Sequence, residues 1–174
     1  MKVVFFLIPF ILFSSCKTKA DKVITLDNQI KNVNSECPAE AVCTMDVQKN
    51  KSLLIKEDGT GALYPEIVAG DKTVVVYTFL RKGPEGTVDG DYSETIHFEI
   101  PNGTTTSSFT DASLKDAKLL FGKHCYCKGE AGYYRVERGS LKVIKSESSV
   151  TFDLRFKMEH PSHELNNIKQ TTSL

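Results

Sequence analysis

His124-Cys125-Tyr126-Cys127 sets an imidazole beside two thiols. On an extended strand Cys125 and Cys127 project from one face, about 6.6 Å apart along the chain. With His124 they form a soft donor set of the kind that takes Cu(I) or zinc, and His160 and His163 could add nitrogens. The competing chemistry is oxidation. Cys37, Cys43, Cys125 and Cys127 are an even set, and in an exported protein four cysteines read as two disulfides. The spacing of Cys125 and Cys127 suits reaching to a neighbouring segment better than closing on each other. Bridges from the Cys37–Cys43 segment to the Cys125–Cys127 segment are therefore expected, closing loops of about eighty to ninety residues and each stabilising by a few kcal/mol. The second arrangement is a local Cys37–Cys43 clip across Pro38-Ala39-Glu40, with Cys125 paired to Cys127. Disulfides are the preferred reading and metal the alternative.

Other constellations offer less. Asp89-Gly-Asp-Tyr-Ser-Glu94 alternates oxygen ligands like the start of a calcium loop. Its sixth place holds Glu94 where an EF-hand needs glycine, and its twelfth holds Ile100 where it needs an acid. A hairpin turn is expected there. His97, between Ile96 and Phe98, reads as a lone histidine on the outward face of its strand. Tyr126, Tyr133 and Tyr134 could form an aromatic patch, but the chain has no tryptophan, the best stacking residue. Asn102-Gly103-Thr104 matches a glycosylation sequon and reads as a turn. There is no nucleophile elbow, zinc-protease motif, phosphate loop or dinucleotide fingerprint. No catalytic residue and no cofactor is expected.

Which compartment the cysteines meet is written at the N-terminus. Lys2 is followed by an apolar run from Val3 to Phe13 and then by Ser14-Ser15-Cys16, the three-part pattern of an export signal. The run is shorter than the roughly 20 residues a membrane-spanning helix needs, and Pro9 interrupts it. Phe13-Ser14-Ser15-Cys16 resembles the lipobox of bacterial lipoproteins, with Phe13 where that motif usually has leucine. The resemblance covers the leader alone. It implies removal of residues 1–15, a diacylglyceryl thioether on Cys16 and acylation of the new amino group. Several acyl chains give a stable anchor where one gives reversible binding. Lys17-Thr18-Lys19 lacks the aspartate that retains some lipoproteins in the inner membrane. The resemblance thus implies the outer membrane, facing the periplasm, with the cell surface as the alternative.

The elements that must position these residues are mostly strands. The chain has 174 residues, 40% of them apolar and 25% charged, with 22 basic and 22 acidic groups. That suits one folded domain, and zero net charge argues against a nucleic-acid binder. Val150, Phe152, Leu154, Phe156 and Met158 alternate with polar residues, a half-buried strand. Leu141 to Ile144 precedes it as a hairpin partner, and a turn at Arg138-Gly139-Ser140 leads in from Tyr133–Glu137. Thr73 to Leu80 is apolar on both faces and pairs with Tyr92 to Ile100. Further strands are predicted at Val42–Gln48, Ser52–Lys56 and Leu63–Val68, the last at an edge because of Pro65. Asp111 to Leu120 is the one helical candidate, with Asp111 as its cap; a strand running into Cys127 competes with it.

The expected fold is all-β: a small antiparallel sandwich or barrel of roughly 7–9 short strands with at most one short helix. Residues 1–15 would be the signal, 16–22 the lipidated cysteine and tether, 23–159 a single domain, and 160–174 a polar tail that frays. The expected function is a non-catalytic binding or assembly module. It would hold the membrane through Cys16 and engage an envelope protein or peptide through a sheet edge. The alternatives are a soft-metal protein using His124, Cys125 and Cys127, and an envelope hydrolase or hydrolase inhibitor.

Overall fold

The structure, a computed structural model, describes residues 37–38 and 40–174. The leader, Cys16, the tether and the expected domain start at residue 23 lie outside the described residues. Nine strands follow in order: β1 (Val42–Glu57), β2 (Leu63–Arg81), β3 (Tyr92–Pro101), β4 (Thr105–Thr110), β5 (Leu120–His124), β6 (Gly132–Arg135), β7 (Gly139–Lys145), β8 (Ser149–Phe156) and β9 (Asn167–Ser173). They form two antiparallel sheets, β1-β2-β3-β5-β6 and β4-β7-β8-β9. The all-β sandwich is the fold.

Alternation drives the packing. Val150, Phe152, Leu154 and Phe156 of β8 and Leu141 and Val143 of β7 bury one face of the smaller sheet. Val75, Tyr77 and Phe79 of β2, Ile96, Phe98 and Ile100 of β3 and Phe121 of β5 face them from the larger one. Phe152 sits at the centre, edge-on to Tyr77 at 5.8 Å and to Phe98 at 5.4 Å, a favoured aromatic geometry.

The four strands predicted between Val42 and Leu80 are two long bent ones. Pairing runs without a break from Val42↔Leu80 to Lys49↔Thr73, slips at Lys51, which faces both Ala69 and Lys72, and resumes at Ser52↔Val68. Such a bulge bends a hairpin sharply. Gly70 permits it, since a Cβ there would lie 1.9 Å from the Ser52 hydroxyl oxygen. The bend brings Leu63 beside Tyr133 on β6, so β2, β3, β5 and β6 close into a ring. Leu53, Val74 and Leu120 are fully buried yet stand outside the main core cluster.

Two expectations are corrected. The segment 160–174 does not fray: β9 pairs with β8 from Asn167↔Arg155 to Ser173↔Ser149. Its alternation of buried Ile168, Gln170 and Thr172 with polar neighbours is a strand period, masked because two of the three inward residues are polar. The helical candidate is a 3-10 helix over Asp111–Ala117, capped by Thr110 rather than Asp111. It stops at Lys118, whose left-handed backbone (φ 50°) turns the chain into β5.

Candidate functional site

One row of residues crosses four strands of the larger sheet: Val42, Leu80, Ser93 and His124. Beyond that row, at one end of the molecule, lie the residues leading into β1, the loop 82–91, the Cys125–Cys127 turn and the segment 160–165. All four described cysteines fall at this end, joined as Cys37–Cys43 and Cys125–Cys127.

The expected cross-bridges are therefore corrected in favour of the second arrangement. β1 and β5 are separated by β2 and β3, three strand spacings or roughly 14 Å. A disulfide needs Cα atoms within about 7 Å. Cys125 and Cys127 are not on an extended strand either: β5 ends at His124, and the bent chain beyond brings their Cα atoms to 5.2 Å. Because both rings are small, removing them releases little chain entropy. The double substitution Cys125→Ser/Cys127→Ser is expected to cost about 1–2 kcal/mol, against more than 4 kcal/mol for a bridge closing eighty residues. Urea unfolding of the variant checks this, and a loss above about 4 kcal/mol would return the long-range pairing.

The sulfurs of Cys125 and Cys127 bond to each other and in this state offer no thiolate to a metal. His124 is half-buried, its ring edge-on to Tyr133 at 5.2 Å, and burial lowers its pKa. His160 packs edge-on to Tyr134, and His163 stacks on Phe156 at 5.2 Å. These histidines act as aromatic packing and do not converge on the cysteines. No group of three metal-ligating side chains occurs among the described residues. In the calcium-like segment, Asp91 takes Lys82 and the Gly83 amide at 2.7 and 3.0 Å, and Glu94 is turned inward.

The strongest polar assembly was not singled out from the sequence. Glu94 is fully buried and accepts hydrogen bonds from the Tyr92 hydroxyl and from the Glu164 and Leu165 amides, each amide at 2.7 Å. Beside it in the ladder, Lys123 is 3% exposed. Its ammonium donates to Glu130 and to the Ser162 carbonyl and hydroxyl, the last two at 2.8 Å. Arg81 binds the Glu164 carboxylate at 2.7 Å and lies over the Tyr92 ring. Charge-assisted bonds of this kind are the strong ones, and together they strap residues 162–165 across the end of the core. Glu94 is in phase with inward-facing Ile96 and Phe98, and Lys123 with Phe121. Charged residues at inward positions of a strand period were the signal that could have found them.

Ser162 and Lys123 lie close enough to suggest a serine–lysine nucleophile, but their protons are otherwise engaged. The Ser162 hydroxyl donates to Glu130 at 2.7 Å, and Lys123 and Ser162 hold the Glu130 carboxyl below the usual range. An ammonium with all three protons bound is a clamp and no base.

A second strap involves Glu99, whose carboxylate accepts from the Leu53 amide and from Lys118, both at 2.8 Å, while Lys118 also donates to the Leu53 carbonyl. It ties the bent half of β1 to the end of the helix. His97, read as a surface residue, is 7% exposed, and this is a correction. It is on the outward face of β3, as its phase requires, but the ring closed by β6 covers that face, and Tyr133 lies edge-on to it at 5.9 Å. Gly122 makes room for that cover, since a Cβ there would sit 2.6 Å from the Tyr133 ring.

The groove of about 330 Å³ between the helix and β6 is lined by Asp111, Lys115, Lys118 and Arg135 among others. Glu137 also lines it, Lys118 is committed to Glu99 and Asp111 accepts from the Gly139 amide. Compared with known proteins, the chain matches no family model, no curated protein and no solved structure. The fold defines a two-sheet antiparallel sandwich, cross-strapped at the end where the chain leads into β1.

Proposed function

We propose that this chain is a lipid-anchored protein of the bacterial envelope, a non-catalytic binding or assembly module held through Cys16 on the periplasmic side of the outer membrane. Two local disulfides in the folded body suit an oxidising compartment, and the leader supplies the route there. Replacing Cys16 by serine is expected to shift the protein from the membrane pellet to the soluble fraction, with its signal cleaved elsewhere or not at all. Retention of Cys16→Ser in the pellet after an alkaline wash would refute the anchor.

The partner, an envelope protein or peptide, adds a strand to β4. The observation that carries this choice is the makeup of the sheet edges. β1 carries Asp46, Lys49 and Lys51, and β9 carries Lys169, whereas Thr105–Thr110 carries no charge at all. Charges on edge strands block pairing, so β4 is the unguarded edge. Ser108→Lys, at an exposed β4 position, is expected to abolish partner crosslinking in intact envelopes, while Lys169→Glu on β9 leaves it intact. Equal capture by both variants would remove β4 from consideration.

A further inference from the structure

We infer that the end of the sandwich bearing Val88 and Tyr126 rests on the bilayer, with these two side chains inserted at the headgroup level. This deepens the anchor reading above and rests on it. Among the described large apolar side chains the three most exposed are Val88 at 96%, Tyr126 at 93% and Val42 at 56%. All three lie at or beyond the Val42–Leu80–Ser93–His124 row, at the same end. That is also the end from which the chain runs back toward Cys16, through residues 17–36. Those residues attach at this end and reach at most roughly 70 Å at full extension, so the exposed tips, and not the link, select the face that meets the bilayer.

The two tips are built to stay out. Tyr126 stands between the halves of the Cys125–Cys127 disulfide. Val88 stands on a loop braced by Lys82 and Gly83 on Asp91, and by the Thr87 amide and hydroxyl on the Pro84 carbonyl. The backbones of Gly83 and Gly90 touch so closely that a Cβ on Gly83 would meet the Gly90 carbonyl carbon at 2.3 Å. A tyrosine presents an apolar ring and a polar tip, the pair of properties favoured at the membrane–water boundary. Arg81 is matched by Glu164, Lys82 by Asp91 and Lys123 by Glu130, and the exposed charges nearest the tips are of both signs, Lys128 beside the Tyr126 turn and Glu85 and Asp89 beside Val88. Contact would therefore depend on apolar insertion and little on anionic lipid.

Because the chain has no tryptophan, Tyr126→Trp places a single indole at this end and Ile144→Trp places one at the opposite end, beside the Thr105–Lys145 rung. Each acylated full-length variant is reconstituted into brominated phosphatidylcholine vesicles and floated. The indole at 126 is expected to shift to the blue and lose about half its emission, at the depth typical of interfacial aromatics, while the indole at 144 does neither. Flotation without quenching at position 126 would overturn this inference and leave the anchor standing. Failure to float would refute the anchor and the inference together. Quenching equal at both positions would deny the orientation, and an indole at 126 unquenched but crosslinked to another protein would assign the tips to a protein partner instead.

Discussion

Glu94→Ala is expected to lower the unfolding free energy by about 4 kcal/mol, with the loss centred on the C-terminal segment. The substitution leaves the Glu164 and Leu165 amides and the Tyr92 hydroxyl without their acceptor. Each buried donor so stranded costs about 1–3 kcal/mol, and breaking a buried charged network from one side costs about 3–5 kcal/mol. The cavity left by the side chain adds to this. Glu94→Gln keeps an acceptor oxygen but turns an amide nitrogen toward a donor, so its cost is expected to fall between wild type and Glu94→Ala. Urea unfolding gives the total. Hydrogen exchange gives the location, because the amides of Glu164 and Leu165 should lose protection before those of β8. Unchanged protection at these two amides would show that Glu94 does not hold the strap. The consequence reaches β9, which begins two residues after Leu165. With Glu94 gone, the start of this edge strand is held by its ladder to β8, by Ile168 in the core and by the remaining Arg81–Glu164 and Lys123–Ser162 bonds.

The sandwich was legible in the sequence because most strands bury one face, and period two then shows plainly, as in Val150 to Phe156. The β2–β3 pairing was legible for a different reason, since Thr73 to Leu80 is apolar on both faces and so reads as a central strand that needs a neighbour. What escaped was produced by closure. No local pattern around Lys49 to Lys51 or Ala69 to Lys72 announces that β1 and β2 each continue through a bulge, because the slip is a property of the pair. The ring formed by that bend gives the outward face of β3 a second cover, which is why His97 and Glu99 are buried on the side assigned to solvent. The cysteine pairing failed for a related reason. Sequence spacing described Cys125 and Cys127 as if extended, and only the strand order shows that β1 and β5 are too far apart to bridge. The inward charges Glu94 and Lys123 were in phase with the core all along, and besides Tyr92 and Glu130 their partners, at Ser162, Glu164 and Leu165, come from a segment read as a frayed tail.

Burial of His97 makes stability depend on pH in a defined direction. Removal from water, and then the charge of His124, push its pKa down to about 4. Its Nδ1 has no hydrogen-bond partner among the described residues. Tyr133 covers it from β6, His124 flanks it from β5, and Glu99 follows two positions on along β3. In the unfolded chain the same imidazole takes up a proton near pH 6.5. Between about 6.5 and 4 the unfolded state therefore binds more protons, and stability must fall as the pH falls through that window. At roughly 1.4 kcal/mol per unit, lowering the pH from 7.5 to 4.5 is expected to cost the wild type on the order of 2–3 kcal/mol at this site. His124, also depressed by burial, adds a change of the same sign. The carboxylates held below their usual range, Asp58, Asp91 and Glu130, keep their contributions above about pH 5 and lose them progressively below it. The window above that belongs to the histidines. His97→Phe keeps an aromatic ring against Tyr133 and removes the proton site, so most of the difference between the urea midpoints at pH 7.5 and 4.5 should vanish. Wild-type midpoints that agree at the two pH values would mean that His97 is hydrated in solution and that the ring closed by β6 does not seal this face.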